Sequence, residues 1–255
     1  MRVKITGLRA LGALCALMLA AACTSAVGSG PGRDGSTPTG TSPAPVPDAA
    51  KGGDGADGDA SVPLTPAELE RAALATGDLP GFQVSADKNA LAPAGQPVAD
   101  ETECQPLADA MGEEPDPKAT HTVSRGLGSL DALGLAVSAS LSSYSEVDAE
   151  KLIDALEAAI AACGTGFGAV LDGRSGTYRD VKAVPFTVPG GDETVSWTTV
   201  ATDEGGASPF HLVVVRKGAT VARFTAFDLA GRKPPRVPED VAGEQLAKVA
   251  RQLAG

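Results

Sequence analysis

The chain has 255 residues, of which 43% are hydrophobic, 21% are charged and 4% are aromatic. This length suits one globular domain with extensions, and the composition excludes a coiled coil, a multi-span membrane protein and a small disulfide scaffold. The 32 Asp and Glu residues outnumber the 21 Lys and Arg residues, and the resulting net charge of -11 at pH 7 disfavours binding to DNA and RNA, which are polyanions.

The N-terminus has the parts of an export signal. Basic residues precede an apolar run over residues 10–22, which is shorter than the roughly 20 residues that a transmembrane helix needs. The run ends in the sequence LAAAC, which resembles the lipobox of bacterial lipoproteins, although Ala20 stands where those proteins prefer Leu. The alternative is an ordinary secretory signal in which Cys23 has no role.

The lipobox resemblance implies cleavage after Ala22, diacylglycerol on the Cys23 thiol and acylation of the new amine. Two or three acyl chains anchor a protein stably, because each buried CH₂ contributes about 0.8 kcal/mol. Of the next 40 residues, 24 are Gly, Pro, Ser or Thr, and such a segment buries too little apolar area to fold. We therefore predict a signal peptide over 1–22, the lipidated cysteine and a disordered linker over 23–63, and one domain over 64–255.

The four cysteines have different expected roles. Cys15 leaves with the signal peptide and Cys23 carries the lipid, so Cys104 and Cys163 remain in an oxidising compartment. We predict that these two form a disulfide. The alternative is a metal-binding or nucleophilic pair, but the sequence has no C-x-x-C motif and no His near either cysteine. We predict no metal and no cofactor.

The first half of the domain is predicted to contain a helix and two extended segments. Residues 65–68 can form a capping box with Pro at the first helical position, which predicts a helix that ends at Gly77. The chain then turns at 79–82 into an extended segment. Over 133–141, apolar residues alternate with small or polar ones, which predicts a strand with one buried face.

The second half is predicted to contain two helices and several strands. A helix begins after the cap Ser145, and another begins at about Pro238. The first helix has an apolar stripe that ends at Cys163. Four strands are predicted over 181–188, 195–202, 210–216 and 219–229, with Lys217-Gly218 as a hairpin turn. Together these elements predict a single α+β domain with an antiparallel β-sheet packed against helices.

The order of the motifs resembles a known family. The segments TGDLPGF, CQPLADAMG, SSYSEVDAEKLIDALEAAIAACGTGF and HLVVVRKGATVARFTAF look like those of actinobacterial sensor-domain lipoproteins related to the PknH-like extracellular domain of mycobacterial receptor kinases. The resemblance covers 64–255 and implies an antiparallel sheet packed on helices and a cleft for an unidentified extracellular ligand. The kinase relatives carry two disulfides, whereas this chain can form only one.

One row of side chains is a candidate ligand site. Ser138, Ser140, Ser142 and Tyr144 follow one side of the predicted strand. Such a row can floor a cleft and form hydrogen bonds to a polar ligand. The alternative is the solvated face of a sheet, which has the same alternation of apolar and polar residues.

A group of basic residues is a second candidate, because it concentrates positive charge around the last hairpin of an acidic domain. An anionic wall polymer, lipid headgroups or a partner protein would suit it, and the alternative is solvation of turns and loops. The group consists of Arg216, Lys217, Arg223, Arg232, Lys233 and Arg236.

The sequence gives little indication of catalysis. His121 and His211 are the two histidines, each within a strand pattern, where we expect a solvent-facing or hydrogen-bonded structural role. The sequence has no G-x-S-x-G, no H-E-x-x-H and no P-loop. We therefore predict that the chain is not an enzyme, and the sequence leaves a glycosidase-like carboxylate pair open because such pairs are recognised by their separation in space.

Three functional hypotheses follow, in order of preference. The first is a lipid-anchored binding or sensor module on the extracytoplasmic face of the cell membrane, with an unidentified envelope ligand. The second is a protein-interaction lipoprotein without a small-molecule site, and the third is a cell-wall hydrolase. A pocket favours the first, an exposed apolar patch the second, and two carboxylates about 5 to 9 Å apart in a groove the third.

Overall fold

A computed structural model describes residues 62–86, 95–113, 115–203, 205–231 and 234–255. The predicted signal peptide, Cys23 and nearly all of the predicted linker lie outside the described residues, as do Arg232 and Lys233. Within the described ranges, no helix is both long enough and apolar enough to cross a membrane.

The described residues form four α-helices and nine β-strands. The helices are α1 (Pro66–Ala72), α2 (Gln105–Met111), α3 (Glu146–Ala162) and α4 (Glu239–Leu253). The strands are β1 (Phe82–Ser85), β2 (Val98–Ala99), β3 (His121–Ser129), β4 (Leu135–Ser143), β5 (Gly166–Leu171), β6 (Arg174–Ala183), β7 (Glu193–Asp203), β8 (Gly206–Lys217) and β9 (Thr220–Asp228).

All nine strands belong to one sheet. Their order is β1-β3-β4-β9-β8-β7-β6-β5-β2, and every neighbouring pair is antiparallel. Both edge strands are short, with four residues in β1 and two in β2. The predicted fold class, an α+β domain with an antiparallel sheet packed against helices, is confirmed.

Helices cover both faces of the sheet. We call these the α1–α4 face and the α2–α3 face, after the helices that pack on each. In β8, Val213 and Val215 belong to the core of the α1–α4 face, whereas Leu212 and Val214 belong to the core of the α2–α3 face. A strand buried on both faces is continuously apolar rather than alternating, which explains the run of four apolar residues here.

The two long helices begin where the sequence predicts. Ser145 caps α3, since its hydroxyl accepts a hydrogen bond from the Asp148 backbone N–H at 3.1 Å. Pro238 immediately precedes α4. The apolar stripes of both helices face the sheet, as shown by the buried Leu156 of α3 and the buried Leu246 of α4.

Helix α1 ends at Ala72, earlier than the predicted end at Gly77. The backbone N–H of Leu74 donates to the Gln245 Oε1 at 3.2 Å, and that of Ala75 donates to a side-chain oxygen of Asp78 at 2.7 Å. These two amides are bound by side chains, so they do not continue the helical ladder. The predicted capping box at the start of α1 is present.

The strand predicted over 181–188 is wrong in position, because β6 occupies Arg174–Ala183. Most residues in the first half of β6 are exposed, so this strand lacks the apolar alternation that marks a buried one. The hairpin between β8 and β9 is one residue later than predicted. Lys217 pairs with Thr220, which makes Gly218-Ala219 the two-residue turn.

Cys104 and Cys163 form the predicted disulfide, with their Cα atoms 5.9 Å apart. Cys104 lies directly before α2, and Cys163 is the C-terminal cap of α3. Both residues are buried in the core of the α2–α3 face. The bond therefore holds the short helix α2 against the long helix α3 on that face.

Candidate functional site

A cavity lies on the α2–α3 face, between the sheet and the two helices. Its volume is about 30 Å³, and one water molecule needs roughly 10–15 Å³. The inner part of the cavity is therefore large enough for a chemical group of a few heavy atoms.

Three of the four predicted ligand-binding residues line this cavity. Ser140, Ser142 and Tyr144 belong to its lining, whereas Ser138, two residues earlier on the same face of β4, does not. The row is not a solvated face, because α2 and α3 cover it. Ser140 is 6% exposed, Ser142 is 7% exposed and Tyr144 is 2% exposed. Their role in binding a ligand stays a prediction.

Arg223 completes the floor of the cavity. In the sheet it lies between Ser140 of β4 and Val214 of β8. Its Nη1 donates to the backbone carbonyl oxygens of Asp109, at 3.3 Å, and Ala110, at 3.0 Å. A cation is favourable here because the carbonyls at the C-terminal end of a helix carry a partial negative charge. Arg223 therefore attaches the end of α2 to the sheet.

Part of the hydrogen-bonding capacity of Arg223 is unused. Among the described residues, its Nε and Nη2 have no hydrogen-bond partner, and no carboxylate forms an ion pair with it. Within the described ranges, Thr220 Oγ1 is the one fully buried side-chain nitrogen or oxygen atom that has no hydrogen-bond partner. The Nε and Nη2 atoms of Arg223 and the hydroxyl of Ser140 also have no partner within these ranges, but they are not fully buried. Because both residues line the cavity, these atoms are accessible from it.

The other hydroxyls of the cavity form a small network beside Arg223. The Thr122 and Ser142 hydroxyl oxygens are 2.9 Å apart across β3 and β4. Burial raises the pKa of Tyr144 to about 12, while the positive charge of Arg223 and a hydrogen bond with Ser142 act in the opposite direction. Tyr144 therefore keeps its proton at neutral pH. Burial also lowers the pKa of Arg223, and Tyr144 acts against that shift.

The remaining lining of the cavity is aliphatic inside and acidic at the mouth. Aliphatic side chains come from α3 and from the sheet: Leu152, Leu156, Val214 and Val221. The carboxylates are those of Asp109, Glu113 and Asp116. Asp109 is already engaged, because its Oδ1 accepts hydrogen bonds from the amides of Gln96, at 2.5 Å, and Gln105, at 2.7 Å. Glu113 and Asp116 are exposed.

The four described residues of the predicted basic group do not form one positive surface. Arg216 is 9% exposed and forms an ion pair with Glu193. Lys217 forms an ion pair with Asp192 at 2.9 Å. Acidic neighbours thus neutralise the two residues at the hairpin. Arg223 instead lines the cavity on the α2–α3 face. Arg236 is exposed.

The two histidines lie away from the cavity lining. His211 is fully buried, its Nε2 is 2.9 Å from the Ser196 hydroxyl, and its Nδ1 accepts a hydrogen bond from the Val237 backbone N–H at 2.8 Å. Burial, and secondarily the charge of Arg236, lowers the pKa of His211 to about 4. His211 is thus a hydrogen-bonded structural residue, whereas His121 is exposed at the start of β3.

The structure places Arg223 beside the serine row and not beside the basic residues of the hairpin. Its alternation with Val221 and Thr225 was visible, and residues two apart in a strand share a face. The alternation alone does not show which residues of another strand lie next to Arg223. The pairing of β9 with β4 shows that Ser140 does. The aliphatic side of the cavity was also missed, because the apolar stripe of α3 indicates core packing and gives no sign of a gap.

No family model matches the chain. No curated protein matches it either. Among solved structures, the extracellular domain of PknH from Mycobacterium tuberculosis is similar over 76% of this chain and 98% of that chain, with 11% identity and a TM-score of 0.48. A putative uncharacterized protein from Mycobacterium smegmatis, an Rv0999 ortholog, is similar over 78% and 98%, with 13% identity and a TM-score of 0.36. Both TM-scores are below 0.5, so neither likeness assigns a ligand or an activity to this chain.

Proposed function

We propose that the chain is a lipid-anchored binding or sensor module outside the cytoplasmic membrane, and that the cavity on the α2–α3 face is its ligand site. The observation that carries the proposal is the unused hydrogen-bonding capacity of Arg223 and Ser140 beside an aliphatic wall. Ligand sites are typically apolar clefts with a few convergent polar groups. A ligand in the cavity can accept hydrogen bonds from these free donors, and such bonds contribute to its binding.

The location outside the membrane is supported by the sequence and by the disulfide. The basic and apolar N-terminus followed by LAAAC is typical of an exported lipoprotein. The Cys104–Cys163 bond is typical of proteins in an oxidising compartment. A lipid on Cys23 would keep the domain near the membrane, since the apolar run before it is too short to span a bilayer.

Metabolic labelling with an acyl-chain analogue tests the anchor. We expect wild-type protein to carry the label and the Cys23→Ala variant to lose it and to be released from the membrane, because the acyl chains supply the anchoring. The Cys15→Ala variant is a matched control, since this cysteine is removed with the signal peptide and its replacement should leave labelling intact. Equal labelling of wild type and Cys23→Ala would contradict the anchor.

Native mass spectrometry of the protein from its own envelope tests the site. A co-purified small molecule should be present with wild type and absent with Ser140→Val, which removes the hydroxyl from the cavity and adds a methyl group, while keeping a side chain that strands favour. Ser175→Val is the matched control, because Ser175 is an exposed strand serine outside the cavity lining. Retention of the same mass by Ser140→Val would remove the cavity from the proposal.

A second candidate function is protein interaction, and an exposed apolar patch favours it. Leu130, Leu133 and Leu229 are 55%, 74% and 68% exposed. The backbone N–H of Leu229 donates to the Gly134 carbonyl at 2.8 Å, so the loops that carry these leucines adjoin. Such patches mark interaction sites in soluble proteins. If this is the main function, changing the three leucines to Ser should abolish a protein complex in the envelope and leave any small-molecule mass unchanged.

We also propose that the chain is not an enzyme. The carboxylate of Asp109 is held by two amides, and neither histidine lines the cavity. Incubation of the purified chain with isolated cell-wall material should release no soluble fragments. Release that disappears in Glu113→Gln or Asp116→Asn would instead indicate a hydrolase that uses the carboxylates at the mouth.

A further inference from the structure

We infer that the inner end of the cavity is a carboxylate site, which takes the carboxylate of a small aliphatic acid. The inference rests on the proposed function, because it names the class of ligand for the same cavity. It assigns Arg223 as the counter-charge, and Ser140 and Tyr144 as additional hydrogen-bond donors.

The first argument is the charge of the site. The two buried arginines are paired with carboxylates, Arg125 with Glu70 and Arg216 with Glu193, and Arg223 is half-buried. Arg223 has no such partner among the described residues, although the chain is strongly acidic overall. A charge that is partly shielded from water is favoured by a nearby opposite charge, because its desolvation is costly. An anionic ligand supplies the missing partner.

The second argument is the direction of the free donors. The Nη1 of Arg223 is used by the carbonyls at the end of α2. The Nε–H and one Nη2–H of a guanidinium point from the same edge, so these two donors remain available together. A carboxylate accepts two parallel hydrogen bonds from such an edge, whereas a neutral carbonyl has only one oxygen to offer.

The third argument is the position of the neighbouring hydroxyls. Ser140 is directly opposite Arg223 in the paired strands, and its hydroxyl is open to the cavity. Tyr144 also lines the cavity, and as a neutral phenol it can donate a hydrogen bond there. A carboxylate has about four lone-pair positions, so it can accept from the guanidinium and from hydroxyls at the same time.

The lining also decides between a carboxylate on an aliphatic body and a phosphate. A phosphate directs oxygen atoms to all sides, and here several would meet the side chains of Leu152, Leu156 and Val221 without hydrogen bonds. The exposed carboxylates of Glu113 and Asp116 at the mouth repel a dianion more strongly than a monoanion. A short hydrocarbon next to the carboxylate instead fits the aliphatic wall.

Titration of the isotope-labelled full chain, followed by NMR, tests the inference with three probes. Propionate carries the proposed group, propionamide is its neutral isostere, and inorganic phosphate is the competing anion. We expect propionate to shift the Arg223 Nε–H and Ser140 amide signals in a saturable way. Propionamide should bind at least about tenfold more weakly, because hydrogen bonds to charged groups are stronger than those between neutral groups.

Variants assign the effect to named atoms. Arg223→Gln should weaken propionate binding by about tenfold or more, and Arg223→Lys should retain part of it because the charge remains. Ser140→Ala should weaken it by about three- to tenfold. Arg125→Gln is the matched control, since Arg125 also bonds a backbone carbonyl beyond a short helix but lies outside the cavity lining. It should leave propionate binding unchanged.

Several outcomes would overturn the inference while leaving the proposed function in place. These are equal binding of propionamide and propionate, unchanged binding in folded Arg223→Gln, and stronger perturbation of the same signals by phosphate. If Arg223→Gln does not fold, the comparison of propionate with propionamide in wild type and Ser140→Ala gives the decision. Absence of any shift at the cavity with all three probes would overturn the small-ligand site itself.

Discussion

Helices α1 and α2 end in similar ways on opposite faces of the sheet. Each has seven residues with a Pro in its first turn, and near the end of each an arginine from the sheet donates to backbone carbonyls. Arg125 of β3 donates its Nε to the Leu74 oxygen at 2.9 Å, just beyond α1. Arg223 of β9 donates its Nη1 to the last turn of α2. Arg125 also pairs with Glu70, whereas Arg223 pairs with no described carboxylate.

The comparison distinguishes Arg125, which has a structural role, from Arg223, which belongs to a candidate ligand site. All three guanidinium nitrogens of Arg125 donate hydrogen bonds within the fold. Their acceptors are the backbone oxygens of Leu74 and Ser124 and the carboxylate of Glu70. The same helix-capping arrangement at Arg223 leaves two nitrogens open to a cavity. The Arg125 guanidinium is therefore fully paired on the α1–α4 face, whereas the Arg223 guanidinium leaves two nitrogens on the α2–α3 face available to water or a ligand. Three predictions test this difference, in order of decreasing effect.

The largest effect is expected from the disulfide, which belongs to the α2–α3 face alone. Closing the loop between Cys104 and Cys163, which are 59 residues apart, contributes about 4 kcal/mol in the chain-entropy model. Replacing both cysteines with Ser should lower the melting temperature by about 10 °C. Thermal unfolding with and without reductant measures this, and the double variant, which has no bond to reduce, is the control.

Hydrogen exchange sharpens the same prediction by comparing the two short helices. In the cysteine double variant, amide protection should fall more in α2 than in α1, because only α2 is attached to a neighbouring helix by the disulfide. An equal fall in both helices would mean that the two faces unfold as one unit. In that case the disulfide would stabilise both faces of the sheet equally and not the α2–α3 face alone.

The second prediction concerns acid and acts on the α1–α4 face. The pKa of His211 is about 4 in the fold, mainly because of burial, against an ordinary value of 6.5. Below pH 6.5 the unfolded chain therefore takes up a proton on this ring that the folded chain does not. The contribution of His211 to stability is complete above pH 6.5, falls as the pH drops towards 4, and amounts to about 3 kcal/mol.

Urea unfolding between pH 7 and pH 4 measures this contribution. His211→Gln should unfold with a smaller loss of stability over this range than wild type, since the titrating ring is gone. His121→Gln is the matched control because His121 is exposed, and it should keep the wild-type pH dependence. Identical pH profiles for wild type and His211→Gln would show that the buried ring does not limit the α1–α4 face in acid.

The third prediction compares the two arginines directly. Arg125→Met leaves the buried carbonyl of Leu74 without its donor and should cost about 2 kcal/mol of unfolding free energy. Arg223→Met also removes hydrogen bonds to helix carbonyls, but it replaces a half-buried charge that has no counter-charge among the described residues. The net cost should be about 1 kcal/mol or less. Chemical denaturation measures both, and a larger loss for Arg223→Met would reverse the proposed roles.

The long helices and the serine row could be predicted because their signals are local. Ser145 lies three residues before the Asp148 amide that it caps, and the stripes of α3 and α4 repeat within each helix. The two-residue period of β4 likewise places Ser140 and Ser142 on one face. In each case the residues that interact or share a surface are close together in the chain.

The end of α1 and the cavity could not be predicted, because both depend on contacts between segments that are far apart in the chain. The end of α1 is set by Gln245, which belongs to α4 and accepts from the Leu74 amide. The cavity depends on the pairing of Ser140 with Arg223 and on the position of α2, which the Cys104–Cys163 bond holds against α3. The sequence predicted that bond, but a seven-residue helix has too few turns to show a reliable apolar period.

The short edge strands have a consequence for how copies of this chain behave at high concentration. An exposed sheet edge presents unpaired backbone groups on which another chain can build a strand, and this is a common route to aggregation. Here a nine-stranded sheet ends in strands of only four and two residues. Two copies that meet edge to edge therefore gain few backbone hydrogen bonds. If the chain carries the proposed lipid anchor, neighbouring copies are concentrated on one surface, and the short edge strands let them lie side by side without joining their sheets.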